Sequence, residues 1–399
     1  MTVHETSVPP GEPGGQTSSF IIHQDISLRQ DEMKILFVVC GEGLGHASRC
    51  LHLGHYMQQQ GHTIHFAGYG KSYDFMSQHG CTSLHRISRE VWLEGENGFF
   101  SLKKTLWYSK FLPFNLVRSA LGVGRLIRKY GYDCVVCDTM YSGVLDARLH
   151  NVPVVFITNQ NHFNGPNGTT NPIWKTLNLL IGCYLHLATR VIVPDYPEPD
   201  TVSEYNIRIH PHEKARYRFT GPFYQFDPER YTYGDKTIFT SFGGEPYKLP
   251  MYLMLRSIAD KRKDLLFDVF YTGTVLPESS DNFISHGYVS NLYEHLALSK
   301  IAIVHGGLTT LHEALLFEKP VLIVMDPAHP EQQNNAKKIV DMGAGTCIDG
   351  RHVTPEKLEK KIAETMELVP RPFRAAHAAI NGRKNASDII LAVAGRRKC

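Results

Sequence analysis

Residues 304–336 read VHGGLTTLHEALLFEKPVLIVMDPAHPEQQNNA. Five kinds of segment follow one another in this stretch: a buried strand, a Gly-Gly turn, a helix, a second buried strand and a polar loop that opens another helix. The first strand, a short apolar run from Lys300 to Val304, delivers His305, Gly306 and Gly307 to its carboxyl end. In an open parallel sheet, ligands bind at that edge. Paired glycines let backbone approach a phosphate, and the N–H groups of a following helix start face an anion. Thr309 and Thr310 add hydroxyl donors, and Glu313 lies about two helical turns from His305, within reach of a sugar's hydroxyl pair. The second strand, Pro320 to Val324, leads to Asp326 and then to Glu331 and Gln332, side chains suited to binding a sugar ring.

The segment resembles the donor-binding signature of GT-B nucleotide-sugar glycosyltransferases. It is similar to the group holding UDP-glucuronosyl and plant secondary-product transferases, and to the bacterial peptidoglycan-precursor N-acetylglucosaminyl transferases. The resemblance implies two Rossmann-like, doubly wound α/β domains facing across a cleft. It implies contacts from His305 and Thr310 to a diphosphate, from Glu313 to a ribose, and from Glu331 and Gln332 to the donor sugar. Upstream, GYVSNLYEHL matches the family's base-binding turn, with Tyr288, Val289 and Asn291 in it. Tyr288 stands where plant members carry a stacking Trp, and Asn291 where they carry Gln. No cofactor and no metal are implied, because helix ends and hydrogen-bond donors neutralise the leaving diphosphate; the donor, a UDP-linked sugar on this reading, is a substrate.

At 399 residues the chain has room for two domains of ordinary size. Its 42% hydrophobic and 20% charged content is that of a globular protein, and a net charge of +3 gives no ground for a nucleic-acid partner. No apolar run approaches a bilayer span, and Phe20-Ile21-Ile22 is too brief for a signal-peptide core, so a cytoplasmic protein is expected. The eight cysteines are scattered. Cys134 and Cys137 form a C-x-x-C without a second pair, which reads as two cysteines packed in a buried strand.

Residues 1–32 are rich in Pro, Gly, Ser and Thr and read as a disordered leader. Strands and helices alternate over 33–220, the expected acceptor-binding domain. Gly221-Pro222 opens a linker over 221–236, and a second alternating unit, the expected donor-binding domain, covers 237–372. Pro370 and Pro372 set off 373–399, expected to hold a helix from Phe373 to Ala394 that crosses back onto the first domain as in GT-B proteins.

The first strand, Ile35 to Val39, runs into Cys40-Gly41-Glu42-Gly43-Leu44-Gly45-His46. Gly43 and Gly45 leave room for an acceptor or a phosphate. A dinucleotide reading is disfavoured, because Ala67-Gly68-Tyr69-Gly70 stands where an acidic residue is expected. His46 sits at a helix start on the sheet's carboxyl edge, and free histidine, with a pKa of ~6.5, can take a proton near neutrality. GHASR resembles the segment where inverting plant-type transferases place their catalytic base, and VVCDTMYSG supplies Asp138 as the carboxylate that would orient it. Without that resemblance the pair reads as a capping histidine beside a strand-end Asp. In the second half, Thr240-Ser241-Phe242-Gly243-Gly244 resembles the family's second glycine loop, which implies backbone N–H groups of Gly243 and Gly244 facing the leaving phosphate.

Phe99 to Tyr132 contains basic and aromatic residues, with Leu116, Ala120, Val123 and Ile127 at helical spacing. It reads equally as a segment lying on an anionic membrane surface and as a core-packed helix with a solvated basic face. The resemblance places a small-molecule or lipid-linked acceptor there. Two other functions remain open at this level: a UDP-GlcNAc 2-epimerase on the same fold, and a non-catalytic nucleotide-sugar-binding subunit. The His46–Asp138 pair and the Glu331-Gln332 loop favour an inverting hexosyl transferase.

Overall fold

Continuous β-branched runs such as KILFVV, CVVCD, SKIAIV and VLIVM have no polar face, so each must be covered on both sides. They form the centres of two parallel sheets. The computed structural model describes residues 32–90, 94–96, 99–164, 172–224, 226–243, 248–271, 273, 275, 277–287, 289 and 291–397, with backbone alone for Leu102, Leu106, Ile173 and Pro228. The expected leader, apart from Glu32, lies outside them, as do Gly244 and Tyr288.

In the first half, the strands are β1 (Lys34–Val39), β2 (Thr63–Gly68), β3 (Leu84–Arg86), the two-residue β4 (Gly95–Glu96) and β5 (Phe99–Phe100), then β6 (Cys134–Asp138), β7 (Val154–Ile157), β8 (Arg190–Val193) and β9 (Tyr217–Phe219). Between them run α1 (Leu44–Gln59), α2 (Gly70–Gln78), α3 (Leu102–Tyr108), α4 (Leu112–Tyr130), α5 (Tyr141–Leu149) and α6 (Pro172–Leu187). The second half has β10 (Thr237–Ser241), β11 (Phe267–Phe270), β12 (Phe283–His286), β13 (Ser299–Val304), β14 (Val321–Met325) and β15 (Gly345–Asp349). Its helices are α7 (Leu249–Lys261), α8 (Tyr293–Leu298), α9 (Leu308–Leu316), α10 (Pro330–Asp341), α11 (Pro355–Met366), α12 (Arg374–His377) and α13 (Gly382–Gly395).

The first sheet has the order β3-β2-β1-β6-β7-β8-β9 and the second β12-β11-β10-β13-β14-β15. Within both, every pairing is parallel. Strand order therefore reverses between β1 and β6, and again between β10 and β13. In doubly wound sheets that reversal opens the crevice where ligands bind.

Alternation across β6 sends Cys137 into one core layer and Cys134 into the other. They cannot share a metal ion.

The edge strands β3, β9, β12 and β15 are not signalled by the sequence, because stretches such as LHR, YRF and FISH carry no apolar run. The helix expected from Phe373 to Ala394 is broken. Asn381 Oδ1 accepts from Lys384 N at 3.0 Å and caps a new helix at Gly382. A Cβ at Gly382 would meet the Pro222 carbonyl at 2.1 Å, so only glycine lets the chain pass there. From that point α13 packs on α1 and buries Ala386, Ile390, Val393 and Ala394 in the layer holding Phe37 and Leu53. A second tie links the halves near β8, where Asp195 accepts from Tyr196 N, Ser203 N and, at 2.7 Å, His312 Nε2 on α9.

Candidate active site

The β1/β6 reversal is fixed by register, since Val39 pairs with Asp138 at the strand ends. Gly43, at φ +89°, turns the chain into α1, and His46 lies in that helix's first turn with its side chain 22% exposed. His46 Nδ1 is 2.8 Å from Asp138 Oδ1. The carboxylate is fully buried.

Arg49, one turn after His46, donates through Nε to Oδ2 at 2.6 Å and through Nη2 to Oδ1 at 2.5 Å. Cys50 Sγ and Thr139 Oγ1 also donate to it, both at 3.2 Å. Burial works to raise the Asp138 pKa, but the Arg49 guanidinium and His46 outweigh it and hold the carboxyl well below the usual range. Asp138 is thus ionised at any working pH. An ionised carboxylate only accepts, so its contact with Nδ1 favours the Nδ1–H tautomer over acceptance from Arg49 Nη2, 3.0 Å from the same nitrogen, and leaves Nε2 as the nitrogen able to take a proton.

The β10/β13 reversal repeats the geometry with different chemistry. Ser241 pairs with Val304, and the glycine loop and His305 follow side by side. A Cβ on Gly243, at φ +83°, would lie 3.5 Å from His305 Cε1. Gly306 turns at φ +88° and α9 begins at Leu308, which puts Thr309 and Thr310 in its first turn. The N–H groups there are unpaired by the helix itself and suit an anion.

Burial, then the nearby Lys248 charge, push His305 down to about 3. Lys248 is itself buried and lies over the Phe99 ring at 5.7 Å. Glu313 is half-buried, and burial pushes its carboxyl up to about 8. Both residues are therefore uncharged at neutral pH.

The first glycine loop meets the start of α9, since a Cβ on Gly45 would lie 3.4 Å from Thr309 Oγ1. A polar line also crosses between the domains. Arg49 Nη1 donates to Asn159 Oδ1 at 3.4 Å, and Asn159 Nδ2 donates to Glu331 Oε1 at 2.7 Å. Gln332 instead turns its Oε1 to the Asp326 backbone N–H at 3.1 Å. Asp326 is buried and accepts from the backbone N–H of Phe100, brought over from the first domain by β5.

Of the expected base-binding residues, Val289 packs against the second domain's core. Asn291 is exposed, and its Oδ1 accepts from Tyr293 N at 3.0 Å at the start of α8. Sequence reasoning missed Arg49, Asn159 and Lys248. Arg49 carried a usable signal, three residues after His46 on one helix face; Asn159 and Lys248 carried none.

Comparison with known proteins agrees with this fold. Residues 265–390 match the glycosyltransferase family 28 C-terminal domain, and residues 33–178 match glycosyl transferase family 1. The chain is 30% identical to an uncharacterized glycosyltransferase of Methanosarcina mazei over 92% of its own length and all of that protein. It is 29% identical, over 34% of its length and 41% of the other's, to the Thermosipho africanus UDP-N-acetylglucosamine–N-acetylmuramyl-(pentapeptide) pyrophosphoryl-undecaprenol N-acetylglucosamine transferase. The kitacinnamycin glycotransferase structure superposes with a TM-score of 0.63 at 17% identity, covering 91% of this chain and 99% of that one. With paired parallel sheets, facing strand-order reversals and a full-length relative of this kind, the chain belongs to the GT-B glycosyltransferases.

Proposed function

We propose that this glycosyltransferase transfers a hexose-type sugar from a UDP-linked donor, with inversion, to a hydroxyl of a lipid-linked acceptor at an anionic membrane surface. The observation that carries the reading is the polar line Asp138–Arg49–Asn159–Glu331, which couples the histidine-bearing loop to the expected sugar contact. His46 Nε2 takes the acceptor hydroxyl's proton. The oxygen attacks the anomeric carbon, the bond to the diphosphate breaks, and its electron pair leaves on the diphosphate oxygen. The α9 N–H groups, Thr309, Thr310 and Lys248 meet that charge; neutral His305 offers only a hydrogen bond. Asp138 stabilises the imidazolium that forms.

The lipid part rests on α3 and α4. Val123 and Ile127 face the core, as their spacing predicts. The opposite side leaves Trp107, Phe111 and Phe114 exposed at 67%, 62% and 64%, with Val117 and Leu121 continuing the stripe. Exposed Lys103, Lys110, Arg118 and Arg125 flank it. Contiguous exposed apolar side chains among basic ones suit an anionic lipid surface. The name of the Thermosipho relative carries an undecaprenol acceptor. Among the described residues no helix is long and apolar enough to cross a membrane.

The test combines purified protein, UDP-sugars and lipid extract. Sugar should enter the lipid fraction with inverted configuration, and protein should co-sediment with anionic vesicles in a salt-sensitive manner. Phe111→Ser with Phe114→Ser should abolish both while sparing UDP binding. Transfer only to soluble acceptors would overturn the lipid reading, and a retained configuration would overturn the single displacement.

A further inference from the structure

Three side chains outside both glycine loops converge on one point. Asp268 lies in β11, His286 ends β12, and His295 lies in α8. His286 Nε2 is 2.5 Å from Asp268 Oδ1, and His295 Nδ1 is 2.6 Å from Oδ2. All three ligating atoms lie within 4.8 Å of one another.

We propose that Asp268, His286 and His295 form a binding site for a divalent transition metal, zinc being the reference ion. Two imidazole nitrogens and one carboxylate suit zinc and its neighbours rather than magnesium or calcium, which take oxygen ligands. Tetrahedral zinc with bonds of roughly 2.0–2.1 Å spaces its ligands about 3.4 Å apart. Binding there would replace the two hydrogen bonds to Asp268 and, through rotation of the carboxylate and the two rings, bring ligating atoms already within 4.8 Å of one another to that spacing.

The surroundings fit an ion that enters from solvent. The carboxylate is 11% exposed, while the two rings are 27% and 29% exposed. Phe270 walls the inner side, stacked on His286 at 4.8 Å and edge-on to His295 at 4.7 Å.

Place in the fold suggests the role. The chain between His286 and His295 is the turn expected to seat the donor's base, and this part of the proposal rests on the donor reading above. A metal here would tie both ends of that turn to β11. It lies outside the reacting loops and takes no part in the displacement.

The test uses the full chain, stripped with chelator and titrated with Zn²⁺ alone. Bound zinc is counted by mass spectrometry and affinity read by calorimetry. His286→Gln with His295→Gln keeps side-chain N–H donors for Asp268, so the variant should fold. Wild type should bind one more equivalent of zinc than the variant. Zinc should raise the melting temperature of wild type and leave the variant's unchanged. Equal stoichiometry in the two proteins would overturn the site. UDP titrations on the same samples separate the two readings: zinc bound without any UDP affinity leaves the metal site standing and removes the donor assignment.

Discussion

The two strand-order reversals share a topology and differ in how they handle charge. At β1/β6 a buried carboxylate is ionised, forked by Arg49 and hydrogen-bonded to His46. At β10/β13 burial strips charge away, leaving His305 pushed to about 3 and Glu313 to about 8, with Lys248 as the buried cation. The first arrangement orients a proton acceptor. The second sets neutral polar side chains, a helix start and one positive charge side by side, an arrangement suited to an anion. On the function proposed above, one backbone plan, used twice, supplies a reacting edge and a binding edge.

The contrast is easiest to break by stranding a charge. Arg49→Met leaves Asp138 buried and uncompensated, and removing one partner of a buried ion pair costs about 3–5 kcal/mol. Urea unfolding should show a loss of that size, and Arg49→Met with Asp138→Asn should recover much of it. An Arg49→Met protein as stable as wild type would mean that Asp138 is not held as an ion. At the other edge, Lys248→Met should weaken UDP binding about tenfold, close to 1.4 kcal/mol, measured by calorimetry. Unchanged affinity would remove Lys248 from the diphosphate site.

The smallest expected effect is a slope in stability against pH. Glu313 ionises near its ordinary value of 4.5 when unfolded but near 8 when folded, so between those values the folded state holds the extra proton. Stability is then greatest below 4.5 and declines as pH rises toward 8. One proton corresponds to ~1.4 kcal/mol per pH unit, and the half-buried side chain should give about 1 kcal/mol or less between pH 6 and 7. Glu313→Gln should flatten that part of the profile; an unaltered slope would show that the carboxyl is not buried as described.

The strand–helix–strand–helix unit of the second half was legible because its signal is local. His305, the two glycines, the threonines, Glu313, Glu331 and Gln332 fall within one strand–helix–strand–helix unit, where apolar runs and turn residues speak for themselves. His46 and Asp138 were legible through a motif at each strand end. The line joining the edges was not. Asn159 is one of several amides in a loop reading TNQNHFN, and its partners, Arg49 and Glu331, lie 110 and 172 positions away. Lys248 reads as an ordinary surface lysine until the fold buries it beside His305. The basic and aromatic character of the α3–α4 stretch was legible, but which face turns outward needed the fold; Asp268, His286 and His295 escaped because they occupy three separate elements.

The most direct test of the division between a reacting and a binding edge pairs two variants and two readouts. UDP affinity by calorimetry and turnover of a UDP-sugar should be measured for His46→Ala and His305→Ala. His46→Ala should keep UDP affinity within about twofold while turnover falls roughly a hundredfold or more. His305→Ala should lose UDP affinity about tenfold. Near-normal turnover in His46→Ala, or undiminished UDP affinity in His305→Ala, would contradict the account.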